Sequence, residues 1–167
     1  MRIALIAAIG KHHELGIGDA LPWHLPDDVA DFHQKIHGHM VLMGRKTFDT
    51  VGHPIKSSPT IIITRNRNVT HEGCRIFHSV EEGIAHARQS GEEKLFILGG
   101  GEIYTATMDS ATDLYLTLVE GVFPDATSFF PPIEWQLWQE LPEETSCFEP
   151  SERNSHGFAI KHYIRKA

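Results

Sequence analysis

The sequence has little cysteine and no long hydrophobic run. Cys74 and Cys147 are the only cysteines among 167 residues, and two are too few for a disulfide framework or a zinc-type spacing. The N-terminal apolar stretch over 2–9 is shorter than a membrane span and lacks the small-residue cleavage site of a signal peptide. Positive charge is also scarce, since 15 Lys and Arg face 22 Asp and Glu. We therefore expect a cytoplasmic protein that binds neither nucleic acid nor membrane.

The remaining composition is ordinary for a globular protein. Hydrophobic residues make up 41% and charged residues 22% of the chain, and this length fits a single domain over 1–167. The sequence contains twelve histidines. No Glu or Cys stands near any of them at a spacing that would complete a recognised set of metal ligands, so we predict no metal site.

Hydrophobic patterning predicts alternating strands and helices. The predicted strands cover 2–9, 40–44, 60–65, 75–77, 94–99, 113–119 and 158–165. The predicted helices cover 26–36, 45–51, 80–89 and 101–108. We expect a partner for the last strand within 135–148 and a long, lid-like loop over 10–25. This order predicts an α/β fold in which a mostly parallel sheet has helices on both faces and an antiparallel C-terminal edge.

Three predicted strand ends carry the chemistry of an anion site. They are Gly44-Arg45-Lys46-Thr47, Thr64-Arg65 and Gly99-Gly100-Gly101. Each of these motifs alone is weak evidence for an anion site. A run of glycines is more often only a tight connection, and arginines at such positions are more often surface charges exposed to solvent. Neither the GxxxxGK[ST] nor the GxGxxG pattern is present. The carboxyl ends of parallel strands meet at one edge of a sheet, so the three turns together predict a cofactor with several phosphates.

The helix over 26–36 places one carboxylate at the edge of an apolar face. At about 100° per residue, that face comprises Leu25, Val29, Phe32 and Ile36. Asp28 lies at its edge beside Phe32, whereas Asp27 and Asp31 lie outside it. One interpretation is that these aspartates merely complement the helix N-terminus. The other is that Asp28 is a lone carboxylate in an apolar pocket, which requires a polar partner.

Several motifs follow one another in an order that resembles bacterial dihydrofolate reductases. They are LIAAI (5–9), Gly16, LPWHLP (21–26), Asp28, Phe32, VLMGRKTF (41–48), GHP (52–54), ILGGGEIY (97–104) and FP (130–131). The individual motifs are modest, but the ordered set is specific and extends from residue 3 to about residue 165. The resemblance implies an eight-stranded sheet with about four helices, and reduction of 7,8-dihydrofolate to tetrahydrofolate by NADPH in one-carbon metabolism.

The resemblance also implies roles for individual residues. Asp28 would hydrogen-bond the pterin and favour protonation at N5, Thr117 would support that carboxylate, and Trp23 would order a water. Tyr104 would flank the nicotinamide. The residues implied to line the substrate pocket are Ile6, Ala8, Val29, Phe32, Val51, Ile55 and Leu98. Those implied to bind the cofactor are Ala8, Leu15, Gly16, Leu21, Gly44, Arg45, Lys46, Thr47, Thr64, Arg65, Gly99, Gly100, Gly101, Glu102, Ile103 and Tyr104.

The same resemblance implies a monomer whose loop over 10–25 closes on the nicotinamide. Arg45 and Arg65 would suit the 2′-phosphate of NADPH. Diaminopyrimidine antifolates would bind through Asp28.

Three positions depart from the family pattern. Ser58 stands where an arginine usually binds the glutamate tail of folate, so we expect weak binding of that tail unless the nearby Lys56 compensates. The usual Gly-Asp-Thr reads Asp125-Ala-Thr here, so closure of the loop is expected to differ. Glu102 replaces a residue that is often basic and would not assist phosphate binding.

Two alternatives remain open at this point. The first is a pyrimidine reductase of riboflavin synthesis, which shares the fold but is not expected to carry the Trp23–Asp28 pair. The second is a non-catalytic module that binds folate or NADPH without turnover.

Overall fold

The computed structural model describes residues 1–18 and 20–167. Its strands are β1 (Arg2–Ile9), β2 (Glu14–Gly16), β3 (Val41–Gly44), β4 (Thr60–Ile63), β5 (Cys74–Phe77), β6 (Lys94–Ile97), β7 (Asp113–Val119), β8 (Ser128–Phe129), β9 (Trp138–Glu140), β10 (Ser146–Phe148) and β11 (Phe158–Arg165). Its α-helices are α1 (Pro26–Ile36), α2 (Arg45–Val51), α3 (Val80–Gln89) and α4 (Gly101–Thr107). Short 3-10 segments cover Met108–Ser110, Trp135–Leu137 and Pro142–Glu144. Across the described residues, no helix is both long and apolar enough to cross a membrane.

The main sheet confirms the predicted fold class. Its strands are ordered β10-β11-β7-β1-β6-β3-β4-β5. The pairs from β7 through β5 are parallel, and β11 is antiparallel to β7. The sheet has nine strands rather than eight, because β9 and β10 pair with opposite ends of β11. Both lie within 135–148, where the partner of the last strand was expected.

The core lies on both faces of this sheet. Successive side chains of a strand point to opposite faces, and the residues of β1 divide accordingly. Leu5 and its alternate neighbours pack with α3 and α4. Ala4 and Ile6 pack on the other face with Ile36 of α1 and Phe48 of α2. The central strands are buried from both sides, which explains why they are apolar nearly throughout.

The predicted element boundaries hold to within about two residues, with one correction. The prediction of an irregular loop over 10–25 is wrong at β2, which pairs with β8, and Ile17 forms an isolated bridge with Ala20. The partner strand lies more than 100 residues further along the chain, so no local pattern marks β2. Asp19, within the same predicted loop, lies outside the described residues.

Gly83 in α3 tests how tightly that helix packs on the sheet. A Cβ at this position would lie 2.8 Å from Leu42 Cδ1 and 2.9 Å from Ile63 Cδ1. We expect Gly83→Ala to lower the free energy of unfolding by about 1–3 kcal/mol, although alanine favours helix by about 1 kcal/mol. Urea denaturation would measure the change. Gln89→Ala, at an exposed site on the same helix, is the control, and its free energy of unfolding should stay within about 0.5 kcal/mol of wild type. A Gly83→Ala variant as stable as wild type, or more stable, would contradict the tight packing of α3 on the sheet.

Candidate active site

A cavity of about 350 Å³ opens at the carboxyl ends of the parallel strands. Its walls come from the ends of β1 and β7, from α1 and α2, and from the segment after β1. Register explains its floor, because Ile6 and Ala8 of β1 pair with Tyr115 and Thr117 of β7. Ala8 is small, so this part of the floor leaves space above it. The size is that of a small-molecule site.

Asp28 reaches into this cavity from the first turn of α1. Thr117 Oγ1 donates a hydrogen bond of 2.5 Å to Asp28 Oδ1, and no other described residue donates a hydrogen bond to this carboxylate. Burial raises the pKa of Asp28, an effect that the Thr117 hydrogen bond partly opposes. Val29 and Phe32 provide apolar surface on the same helix. Asp28 is thus a carboxylate in a mainly apolar pocket, as the second interpretation of the sequence predicted.

Asp31 also lines the cavity, although it lies outside the apolar face of α1. Its carboxylate accepts a hydrogen bond from Lys35 Nζ one turn later, and Lys35 lies over the ring of Tyr115 at 5.4 Å. Asp31 raises the pKa of Asp28 further, and Lys35 lowers it. The face toward the cavity is therefore wider than the apolar arc, because this paired charge sits at its rim.

Trp23 lies behind the cavity wall rather than in it. Its side chain is 7% exposed and packs with Leu25, Val119 and Phe158. The ring of Phe123 meets it edge-on at 5.1 Å between centroids. The implied role of Trp23 in ordering a water therefore stays a prediction.

Tyr104 closes the far side of the cavity. It is 4% exposed, and its hydroxyl donates a hydrogen bond of 2.6 Å to the carbonyl oxygen of Ile6. Burial raises the pKa of this phenol well above its usual range, so the hydroxyl stays protonated. Gly99, with φ +108°, lies so close that a Cβ there would be 2.9 Å from the ring. Only glycine permits this approach of the turn to the tyrosine.

The three predicted anion turns gather at one edge of the sheet. Gly44 N–H donates to Gly99 O at 2.9 Å, which joins the turns after β3 and β6. Thr47 and Gly100 line the cavity there. After β4, Arg65 lies 3.7 Å from Glu102, and both side chains are 91% exposed. The expected clustering is confirmed, with the cations at the outer rim.

The cavity brings together fourteen of the predicted site residues: Ile6, Ala8, Leu15, Gly16, Leu21, Asp28, Val29, Phe32, Thr47, Val51, Leu98, Gly100, Tyr104 and Thr117. The other predicted residues lie outside its lining: Trp23, Gly44, Arg45, Lys46, Ile55, Thr64, Arg65, Gly99, Gly101, Glu102 and Ile103. Most of the latter belong to the anion turns. Ile55 instead packs in the core beneath α1 and α2.

Nine lining residues escaped prediction: Ala7, Gly18, Ala20, Asp31, Lys35, Thr50, Tyr115, Ser128 and Ile160. Helical spacing could have found Lys35, which lies seven positions after Asp28. Alternation along β7 could have found Tyr115, two residues before Thr117. Ile160 had no such signal, because only the pairing of β11 with β7 sets it opposite Thr117.

Ser58 and the segment Asp125-Ala-Thr contain two of the departures from the family pattern. Ser58 is 2% exposed, and its hydroxyl donates to Ile36 O at 2.9 Å, so it anchors the end of α1 and supplies no charge. Thr127 N–H donates to Gly16 O, and Thr127 Oγ1 accepts from Gly18 N, both at 2.8 Å. Asp125 is exposed.

Comparison with known proteins gives consistent matches across the whole chain. The family model for dihydrofolate reductase matches residues 2–165. The dihydrofolate reductase of Staphylococcus aureus is 30% identical over 166 residues, covering 99% of both chains. That of Neisseria meningitidis is 36% identical over 168 residues, again covering 99% of both. The solved structure of dihydrofolate reductase from Enterococcus faecalis, complexed with NADP(H) and RAB-propyl, is 30% identical, covers 99% of this chain and 97% of that one, and superposes with a TM-score of 0.90.

Asp27 and Asp28 are neighbours whose ionisation affects stability in opposite directions. Because folding raises the pKa of Asp28 through burial, its ionised form costs stability as pH rises through the folded pKa. The side chains of Asn154 and Arg153 lower the pKa of Asp27, so its ionised form adds stability that is lost as pH falls. We expect Asp28→Asn to raise, and Asp27→Asn to lower, the free energy of unfolding at pH 7.

Urea denaturation between pH 3 and pH 8 would check this pair of variants. The gain from Asp28→Asn should shrink as pH falls toward the ordinary pKa of an aspartate, and the loss from Asp27→Asn should shrink as pH falls below that pKa, because the protonated carboxyl resembles the amide. A stability gain for Asp28→Asn that stays constant across this range would contradict the assigned cause.

Proposed function

Since this chain belongs to the dihydrofolate reductase family, we propose that its cavity binds the pterin of 7,8-dihydrofolate against Asp28 and the nicotinamide of NADPH beside Ala8 and Tyr104. The reaction is the NADPH-dependent reduction of 7,8-dihydrofolate to 5,6,7,8-tetrahydrofolate. The observation that carries the assignment of Asp28 is its partly buried carboxylate, held by Thr117 in a mainly apolar cavity.

Asp28 orients the substrate and makes it easier to protonate. A carboxylate oxygen accepts the N–H groups of the pterin amide and amino groups, and such charge-assisted hydrogen bonds are strong in an apolar site. The negative charge beside the ring favours a proton on N5, so Asp28 assists protonation without being its donor. Thr117 holds one carboxylate oxygen, which restricts the carboxylate to one orientation.

The residues around the anion turns fit a dinucleotide cofactor. Gly100 lines the cavity, and a Cβ there would come within 3.5 Å of Thr47 Oγ1, so its lack of a side chain leaves this cradle open. Thr47 and Gly100 would hold the cofactor inside the cavity, and Arg45, Lys46 and Arg65 would bind its phosphates. When bound, NADPH supplies the hydride that the pterin accepts.

The apolar walls exclude water and align the two rings. Leu15, Gly16 and Leu21 contribute the wall from the segment after β1, and Val51 and Leu98 the opposite walls. Hydride transfer depends on holding donor and acceptor in near contact, so this enclosure contributes through positioning. The hydroxyl of Tyr104 is committed to Ile6 O, which fixes its ring at the nicotinamide side.

We further propose that the protein acts in the cytoplasm as a monomer. The described residues that line the cavity come mainly from β1, β7, α1, α2 and the segment after β1, so the proposed site needs no residue of a second copy. Both cysteines are free and Cys147 is exposed, a state favoured by a reducing compartment. Light scattering after size-exclusion chromatography would test the monomer.

Replacing Asp28 with asparagine tests its role directly. We expect Asp28→Asn to lower kcat/KM for dihydrofolate at least about a hundredfold, the size typical of a lost acid–base contribution. The decrease in NADPH absorbance would measure turnover, and titration with trimethoprim would measure ligand binding, which should weaken as well. Asp27→Asn, the adjacent variant whose side chain contacts Arg153 and Asn154 instead, should stay within about threefold of wild type. Equal activities of the two variants would contradict the assignment.

Binding of the glutamate tail offers a second test. Of the described residues that line the cavity, Lys35 is the one cation, and it is already paired with Asp31. A charged hydrogen bond to the tail would contribute about 1.5–3 kcal/mol, roughly a 10- to 150-fold preference. We expect dihydrofolate and 7,8-dihydropteroate, which lacks the glutamate, to differ in kcat/KM by less than about tenfold. A larger preference that Lys56→Gln abolishes would instead assign tail binding to Lys56.

A further inference from the structure

Glu14 is a buried carboxylate in the segment that lines the cavity. It is 2% exposed and belongs to β2, away from the pterin site. Its Oε1 accepts the backbone N–H of His12 at 2.5 Å. Its Oε2 accepts the backbone N–H of Phe123 at 2.6 Å. One side chain therefore joins two segments that are 109 residues apart in the sequence.

The neighbouring glycine leaves room for this carboxylate. A Cβ on Gly10 would lie 2.8 Å from Glu14 Oε1 and 2.8 Å from Phe123 Cδ2. The backbone also closes around the carboxylate, because Gly10 N–H donates to Glu14 O, and Lys11 N–H donates to Gly121 O, both at 3.0 Å. The backbone around Glu14 thus leaves space for its carboxylate and surrounds it on several sides.

Phe123 connects this enclosure to the active site. Its backbone N–H is held by Glu14, and its ring packs edge-on against Trp23 at 5.1 Å. On the other side of Glu14 along the chain, Leu15 and Gly16 line the cavity directly. A shift of Glu14 would therefore move both the cavity wall and the aromatic support of Trp23.

We propose that Glu14 is a positioning residue for the reduction, clamping the segment 10–18 to the segment 120–123 and thereby holding Leu15 and Trp23 in place for hydride transfer. This inference rests on the proposed assignment of the cavity as the site where pterin and nicotinamide meet. In this role Glu14 contacts neither ligand.

The electrostatics of Glu14 agree with a clamp. Burial raises the pKa of its carboxyl, but hydrogen bonds from the backbone N–H groups of Phe123, Glu14 itself and His12 lower the pKa below its ordinary value. The group is therefore ionised at neutral pH, and an ionised carboxylate makes its strongest hydrogen bonds to backbone N–H donors.

Glu14→Gln removes half of this clamp with little change in shape. The amide oxygen can accept one N–H, but the NH₂ group faces the other donor and leaves it unpaired. We expect kcat to fall between about ten- and a hundredfold, because small displacements of positioning groups have effects of that size. KM for dihydrofolate should change less than about threefold, since Asp28 and α1 are untouched. Glu14→Asp, which retains the charge, should recover part of kcat.

Amide hydrogen exchange tests the clamp without turnover. In Glu14→Gln, we expect peptides covering 10–18 and 120–123 to exchange on the order of tenfold faster, while peptides of β1 and β7 keep their protection. Glu92→Gln is the matched control. Glu92 also accepts hydrogen bonds from backbone N–H groups, those of Met40 and Lys94, but it lies outside the cavity lining. The Glu92→Gln substitution should lower thermal stability without changing kcat.

Each outcome decides the proposal. Faster exchange in the two segments together with a selective loss of kcat supports it. Unchanged exchange overturns the clamp, and faster exchange with unchanged kcat overturns the positioning role. Equal losses of kcat in Glu14→Gln and Glu92→Gln would show a general effect of destabilisation and overturn it as well. Failure of the Asp28 assignment would show separately, in the Asp28→Asn and Asp27→Asn pair, whatever Glu14→Gln does.

Discussion

The site depends on keeping one carboxylate ionisable inside a mainly apolar cavity. Asp28 is held there by the hydroxyl of Thr117, so a single hydrogen bond links α1 to the central strand β7. An unpaired carboxylate in such surroundings is costly, and this cost makes a ligand with N–H donors the favoured occupant. Burial raises the pKa of Asp28, so its ionised form costs folding stability, and under the proposed function that cost is offset when substrate binds.

The parallel sheet determines where the rest of the chemistry lies. Because β3, β4 and β6 run in the same direction, their carboxyl ends bring three turns to one edge. Gly44 and Gly99 bond to each other through their backbones, which leaves little room for side chains between the turns. Arg45, Lys46 and Arg65 lie outside this contact and are exposed. The cavity is thus mainly apolar, with cations near its rim, a division that suits the proposed binding of the reacting rings and of the phosphates.

Several polar contacts attach the segment after β1 to the rest of the fold. Thr127 bonds to Gly16 and Gly18 near the cavity, and Glu14 bonds to Phe123 at the far end. Phe123 and Thr127 both belong to the connection between β7 and β8. The segment therefore joins an apolar surface toward the cavity to polar anchors on the connection between β7 and β8.

The sequence by itself determined the order and type of nearly all helices and strands, the gathering of the glycine turns at one edge of the sheet and the position of Asp28 beside an apolar helix face, because periodicity, β-branched runs and motif spacing are local properties. Tertiary structure alone decided that Glu14 is buried, that Ser58 anchors a helix end, and that Ile160 faces the cavity. Each of these depends on partners far away in the chain, and β2 exists only through its pairing with β8. A polar side chain becomes a clamp only when the fold removes water and supplies distant N–H donors, and no local pattern encodes that.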